Sequence, residues 1–334
     1  RFMVSHPILL EEELAELAAR SCEADMSADP RGLVSTPWDM MINQAIELKR
    51  AKAQGDKRHG SCGLGFGETV GRNEETPFGL VVADLHANDL RGKLVAIRDL
   101  WLPERCRALD LEPDFGPLEF ARSEALLDRF MKQCAAFNAA VPLRDDATLG
   151  EENVLIFEAA QGLMLDQHHR DFPYVTRSNT GLANIAIIAA EAGIAEIEPV
   201  YVTRTYLTRH GRGPMEDERD ISAWFTVDDP TNRPNPWQES LRFGLIDPKA
   251  LAERIRADLV LAPMAVRPSL AITCLDQAGP AMAWIENGQV VSGSVEEFES
   301  TLRWETDLAS IAQFASPENP PPARSGALAK VLAD

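Results

Sequence analysis

The sequence predicts an α/β fold with a mostly parallel central sheet and helices on both faces. Three observations carry that expectation. Short apolar or β-branched runs at 153–159, 200–205 and 269–275 read as strands. Segments of helical periodicity alternate with them, so strands and crossovers follow one another. The first run ends in Gln161-Gly162 and leads into a polar loop and a helix start, the place where open α/β sheets bind ligands.

The elements follow in order. Residues 7–21 carry apolar positions at helical spacing, with Pro7 where a first turn tolerates it. Residues 36–54 read as a second helix opening on Thr36-Pro37, and 55–78, rich in glycine and charge, as loop. Helical pattern returns over 117–140. After the strand at 153–159 comes a helix over 179–192, then the strand at 200–205. Residues 220–227 suit a strand near a sheet edge, and 229–240, with three prolines, an irregular loop. Asp247-Pro248 caps a helix to about 257, and 283–292 forms a hairpin around Asn287-Gly288. Ser294, with Glu297 three residues on, opens a last helix over 294–314. The tail from Ser316 carries four prolines in eight residues and reads as loose. No linker divides the 334 residues, so a single domain with insertions is expected.

Composition bounds the function. A hydrophobic fraction of 45% provides a core. The net charge of -19 argues against a nucleic-acid partner, whose phosphates need Lys and Arg. A small anionic ligand stays compatible, because a local cluster can reverse the field. The five cysteines are odd in number and form no C-x-x-C pair, which suits a reducing, cytoplasmic setting. No apolar run reaches membrane-spanning length and no leader pattern opens the chain, so neither membrane nor secretion is expected.

Candidate site residues gather at a few places. Gln161 is a carboxamide at a strand's end, able to donate and to accept; it could hold a purine edge, or merely satisfy turn groups. Thr176, Ser178, Asn179 and Thr180 precede a helix whose N-terminus suits a phosphate, although an ordinary N-cap explains any one of them. His168 and His169 follow Asp166, but adjacent loop histidines rarely converge on a metal. Gly60 to Gly67 lets backbone approach a ligand closely, and its Cys62 has no evident activating base. Arg204, Arg209 and Arg212 form either an anion site or a solvated, ion-paired loop. Asp276 ends an apolar strand and can read a guanine edge or cap a turn.

These places occur in the order of a known family. Phe157 to Asn179 resembles the F-E-G-A-Q-G … P-Y-V-T-S-S-N segment of adenylosuccinate synthetases, with Ala159 for Gly and Arg177 for Ser. Leu207 to Pro214 resembles S-T-R-V-G-x-G-P, Arg242 to Asp247 resembles R-T-G-W-L-D, Thr273 to Asp276 resembles T-K-L-D, and Gly60 to Gly67 resembles G-T-T-G-R-G-I-G. The resemblance implies a P-loop-like ligase fold and a GTP-dependent joining of aspartate to the 6-position of IMP, with Mg²⁺, in a homodimer. By position, Gln161 is expected to hold the 6-oxygen and Thr176 the 5′-phosphate. Arg72 is expected to reach a phosphate in a neighbouring subunit, and Asp276 to read the guanine of GTP. Cys62, Gly63 and Arg209 fall in substrate-binding loops, and Arg233 and Arg242 are the arginines near the aspartate loop.

The departures shape the expectation. The family's opening G-D-E-G-K-G-K loop and the histidine after it, which carry the base, the general acid and much of the Mg²⁺ site, have no counterpart here. The chain starts at Arg1, and residues preceding it in the natural protein are expected to supply them. Two alternatives stay open: a relative that uses dGMP, and a purine-nucleotide-binding protein without catalysis.

Overall fold

The structure is a computed structural model that describes residues 1–22, 24–53, 58–228, 240–306, 308 and 311–313. The irregular loop at 229–239 with Arg233, and the tail from Ser316, lie outside the described residues. The chain, read from sequence as one domain, divides into two compact units. One comprises 1–156 and 176–178, the other 157–175 and the residues from 179 onward.

The first unit is helical. Its helices are α1 (Pro7–Ala19), α2 (Pro37–Lys52), α3 (Phe66–Glu75), α4 (Val82–Leu85), α5 (Leu90–Ala96), α6 (Leu102–Ala108) and α7 (Glu124–Ala140). A π-helical turn, Ile97–Trp101, joins α5 to α6 just before Pro103. Proline lacks the N–H that would continue the regular ladder. The core is a cluster around Trp38, Ile42, Leu80, Leu94, Leu127 and Phe130. Trp38 satisfies its indole N–H on the Ala121 carbonyl at 2.7 Å, so a large apolar body is buried without an orphan donor.

The 55–78 stretch was expected to be loop, yet α3 lies within it. Gly65 starts that helix in the left-handed region at φ 79, and a Cβ there would come within 2.5 Å of the Asp39 backbone. The glycines that suggested loop are therefore how a helix start packs onto α2.

The second unit is α/β, as expected. Its helices are α8 (Leu182–Glu191), α9 (Pro248–Leu259) and α10 (Val295–Thr306). Its strands are β1 (Glu196–Ile197), β2 (Val200–Arg204), β3 (Leu207–Arg209), β4 (Arg242–Gly244), β5 (Ala265–Val266), β6 (Ser269–Thr273), β7 (Met282–Glu286), β8 (Gln289–Gly293) and β9 (Ile311–Gln313). A three-stranded parallel sheet runs β2-β6-β9, with Val200 opposite Ser269 and Arg204 opposite Thr273. β1 and β5 also pair in parallel, while β3-β4 and β7-β8 are antiparallel. Leu270 and Ile272 are fully buried, as a central parallel strand requires.

Turn chemistry fixes the periphery. Asn287 and Gly288 both adopt positive φ, at 51 and 75, which joins β7 to β8 with the twist a two-residue hairpin needs. Ser294 and Glu297 form a reciprocal capping box at α10, at 2.8 and 3.2 Å. Asp247 accepts from the Lys249 and Ala250 N–H groups at the start of α9.

Three further expectations of secondary structure fail. Residues 153–159 form no strand: the segment has no regular structure and pairs with no strand among the described residues, and Val154 and Ile156 are 74% and 76% exposed. An apolar run becomes a strand only where a neighbour supplies the ladder. Residues 220–227 form turns instead, because Asp220 accepts from the Ser222 N–H at 2.9 Å and the Ile221 carbonyl takes both Trp224 and Phe225. Local bonds there outcompete sheet pairing, leaving one bridge between Phe225 and Ala278. The last helix stops at Thr306, and β9 follows beside β6.

Arg72, expected to reach a phosphate, is instead a core ion pair. Its side chain and that of Asp39 are fully buried. Its Nε donates to Asp39 Oδ1 at 3.0 Å and its Nη2 to Asp39 Oδ2 at 2.9 Å. The carbonyls of Val34 and Phe78 take further N–H groups, and Trp101 stacks at 5.6 Å. Asp39 also closes the capping box of α2 through Thr36. Arg72→Met leaves that carboxylate buried and uncompensated, which costs about 3–5 kcal/mol. Urea denaturation of the variant should show a loss on that scale; a loss below about 1 kcal/mol means the pair does not hold the core.

Candidate functional site

The Gln161 turn lies in the second unit. Gln161 adopts a left-handed φ of 70 and its side chain is exposed. A non-glycine residue there costs energy and persists only where its surroundings impose it. The next carbonyl, that of Gly162, accepts from Thr180 Oγ1 at 3.0 Å and from the Leu165 N–H at 2.8 Å. The space a Gly162 side chain would occupy is open. The amide of Gln161 is thus presented to open space by a turn fixed from behind.

The loop behind it is held by carboxylates. Asp166 accepts from the Thr180 N–H at 2.8 Å and from the His168 N–H at 2.9 Å. Asp258, on α9, accepts from the Leu182 N–H at 3.0 Å and from the Tyr201 hydroxyl at 2.8 Å. Burial and then that hydrogen bond push the Tyr201 phenol well above its ordinary value. The sequence offered two readings for the start of the following helix: free N–H groups for a phosphate, or an ordinary cap by Ser178 or Asn179. α8 starts later, with Gly181 at its N-cap, and a carboxylate already occupies its first N–H. That N–H of α8 is therefore not free for an anion. Nothing in the spacing revealed Asp258, which lies 76 residues from Leu182.

The arginines of the 204–214 stretch divide. Arg209 is 7% exposed, and its Nη2 donates to the Tyr174 carbonyl while its Nε has no partner among the described residues. Burial pulls its guanidinium below its ordinary value; Asp171 opposes this and Arg242 adds to it. Arg242 donates to the carbonyls of Gly211 and Gly213 and pairs with Glu218 at 2.5 Å. The pair shapes the 211–213 turn, and the unmatched Nε keeps Arg209 in play as an anion ligand.

Asp276 is exposed, in a short turn after β6, and makes no hydrogen bond or ion pair among the described residues. The turn itself is pinned: Tyr206 donates to Gln277 Oε1 at 2.5 Å, and Gln277 Nε2 donates to the Asp228 carbonyl at 3.0 Å. A free carboxylate on a rigid turn can accept two N–H groups from a planar base edge.

The remaining candidates belong to the first unit. The glycine loop is seated on α2. Glu47 Oε2 accepts the His59 and Gly60 N–H groups at 3.1 and 3.0 Å, Asn43 accepts the Ser61 hydroxyl at 3.0 Å, and Gln44 donates to the Gly63 carbonyl at 3.0 Å. Gly63 is buried and Cys62 is exposed on this seated loop. Thr176 is half-buried, and its neighbour Arg177 pairs with Glu75 at 2.5 Å and Glu74 at 3.4 Å. Arg72 is withdrawn from the site by its burial. Among the described residues no group of three or more His, Cys, Asp or Glu gathers to hold a metal. No helix of the described residues is long and apolar enough to cross a membrane.

Comparison with known proteins bears on the family of the chain and on its fold. The adenylosuccinate synthetase family profile matches residues 1–235. The adenylosuccinate synthetase of Synechococcus sp. (strain RCC307) is 33% identical over 225 residues, covering 66% of this chain and 48% of the relative. That of Halobacterium salinarum (strain ATCC 29341 / DSM 671 / R1) is 32% identical over 230 residues, covering 65% and 50%. The chain spans about half the length of the curated relatives it matches. The structure of fully ligated adenylosuccinate synthetase from Plasmodium falciparum superposes with a TM-score of 0.65 over 94% of this chain and 81% of that one, at 16% identity, a likeness of fold. By sequence profile, named relatives and fold, the chain belongs to the adenylosuccinate synthetase family.

Proposed function

We propose that this chain carries the nucleotide-binding part of a ligase that forms a C–N bond: aspartate joined to the 6-position of IMP at the expense of GTP. The observation that carries the reading is the Gln161 turn. It is an exposed amide on a backbone in the left-handed region, inside a segment that resembles a motif of the family. In this reading the Gln161 amide holds the 6-oxygen of the nucleotide while GTP phosphorylates it, and aspartate's amine then displaces the phosphate. The amide contributes position and hydrogen bonding at the oxygen whose charge changes.

The other residues take supporting parts. By the family resemblance, Thr176 is the contact for a 5′-phosphate, and Cys62 and Gly63 belong to a substrate-binding loop. Arg209 and Arg242 shape or meet the anionic end of a substrate. Asp276, with its carboxylate free among the described residues, reads the guanine of GTP. Arg233, outside the described residues, keeps its place near aspartate's carboxylates. Mg²⁺ belongs to the same reading as a partner of the GTP phosphates, and no step above runs through it. A homodimer and a cytoplasmic setting belong to the same reading. The names of the relatives favour neither the dGMP-using alternative nor the non-catalytic one.

Two measurements test it. Gln161→Ala in the full-length protein should abolish formation of the aspartate adduct while leaving the urea midpoint unchanged, because an exposed turn amide carries no core packing. An unchanged rate, or an unfolded variant, contradicts the assignment. The second uses the exposed thiol. Cys106 and Cys134 are buried, and burial raises the Cys134 thiol to about 12, so both react slowly. In a Cys22→Ser background, Cys62 is the one exposed cysteine. IMP should slow its alkylation severalfold; equal rates with and without IMP place the nucleotide away from this loop.

A further inference from the structure

We propose that Thr180, braced by Asp166, is the positioning residue that aims the Gln161 amide; this rests on the nucleotide reading of Gln161. The exposed Gln161 side chain has no packing around it to choose its direction. Its aim is therefore set by its backbone, and a left-handed φ of 70 is not a conformation a glutamine keeps unaided. The constraint lies one residue on. The Gly162 carbonyl is held by the Thr180 hydroxyl at 3.0 Å and by the Leu165 N–H at 2.8 Å.

Thr180 is itself held firmly. It is 5% exposed, its N–H is taken by Asp166 Oδ2 at 2.8 Å, and the other Asp166 oxygen takes the His168 N–H at 2.9 Å. Two residues on, the chain is pinned again by the buried Asp258 through the Leu182 N–H. One hydroxyl thus ties the turn carrying Gln161 to the start of α8, across 18 residues of chain. Removing it leaves the Gly162 carbonyl with the Leu165 N–H alone and loosens the turn whose backbone sets the direction of Gln161. Misplacing a positioned group by about 1 Å can cost on the order of a hundredfold in rate.

The test separates positioning from mere support. Thr180→Val keeps the side-chain shape and removes the hydroxyl, while Thr180→Ser keeps the hydroxyl. Hydrogen exchange at the Leu165 amide, which bonds to the same carbonyl, reports the brace directly. It should quicken about tenfold or more in Thr180→Val and stay unchanged in Thr180→Ser. IMP affinity, measured by calorimetry on the full chain, should fall about as far in Thr180→Val as in Gln161→Ala. The double variant should fall no further, because the hydroxyl acts through the amide. The proposal is overturned if Leu165 exchange is unchanged in Thr180→Val, or if the two losses add. If Gln161→Ala binds IMP as well as the parent while Leu165 exchange still quickens, the nucleotide reading fails, and Thr180 with it as a positioning residue.

Discussion

A buried carboxylate organises the second unit. Asp258 sits on α9, takes the first N–H of α8 and the hydroxyl of Tyr201 on β2, and so joins three elements at one point. The fit is tight: a Cβ at Gly181 would lie 1.9 Å from its Oδ1, so only glycine lets the chain pass. A charge that is buried costs several kcal/mol unless its lone pairs are met by donors. Here the donors are supplied by the crossover itself. The carboxylate therefore fixes where α8 begins, and with it the polar loop that leads back to Gln161.

The same device recurs in the first unit. Asp39 is saturated by Arg72 and Thr36, Glu47 by Arg50 and two N–H groups of the glycine loop, and Asp29 by Arg31 and the Asp146 N–H. Arg31 holds the Asp29 carboxyl well below the usual carboxylate range. A chain of net charge -19 thus spends part of its acidity inside, where each carboxylate orders a helix end or a loop. The arginines that face them are consumed in the same act, which is why Arg72 is unavailable to a ligand. Arg209 differs, because one of its donors has no partner among the described residues.

What could be read from the sequence was mostly local. The Asn287-Gly288 hairpin, the Ser294 capping box and the Asp247-Pro248 helix start were legible because each is decided within four residues. The buried strand β6 was legible from its unbroken apolar run. The run at 153–159 looked alike and misled, because pairing depends on a neighbour that no local pattern announces. α3 was hidden by the glycines that let it pack on α2. Of the candidate site, Gln161 was expected at a strand's end, and no strand forms before it; its candidacy rests on the order of the family motifs. Its supports were not all found: Asp258 acts across 76 residues and Asp39 meets Arg72 across 33, distances at which spacing carries no signal.

The central claim is that the Gln161 amide recognises an oxygen at the 6-position of a purine nucleotide. Calorimetric titration with IMP and with the purine ribonucleotide that lacks the 6-oxygen tests it directly. A site built to hydrogen-bond that oxygen should prefer IMP by about tenfold or more, a preference that vanishes in Gln161→Ala. Equal affinity for the two nucleotides in the unaltered protein would contradict the account.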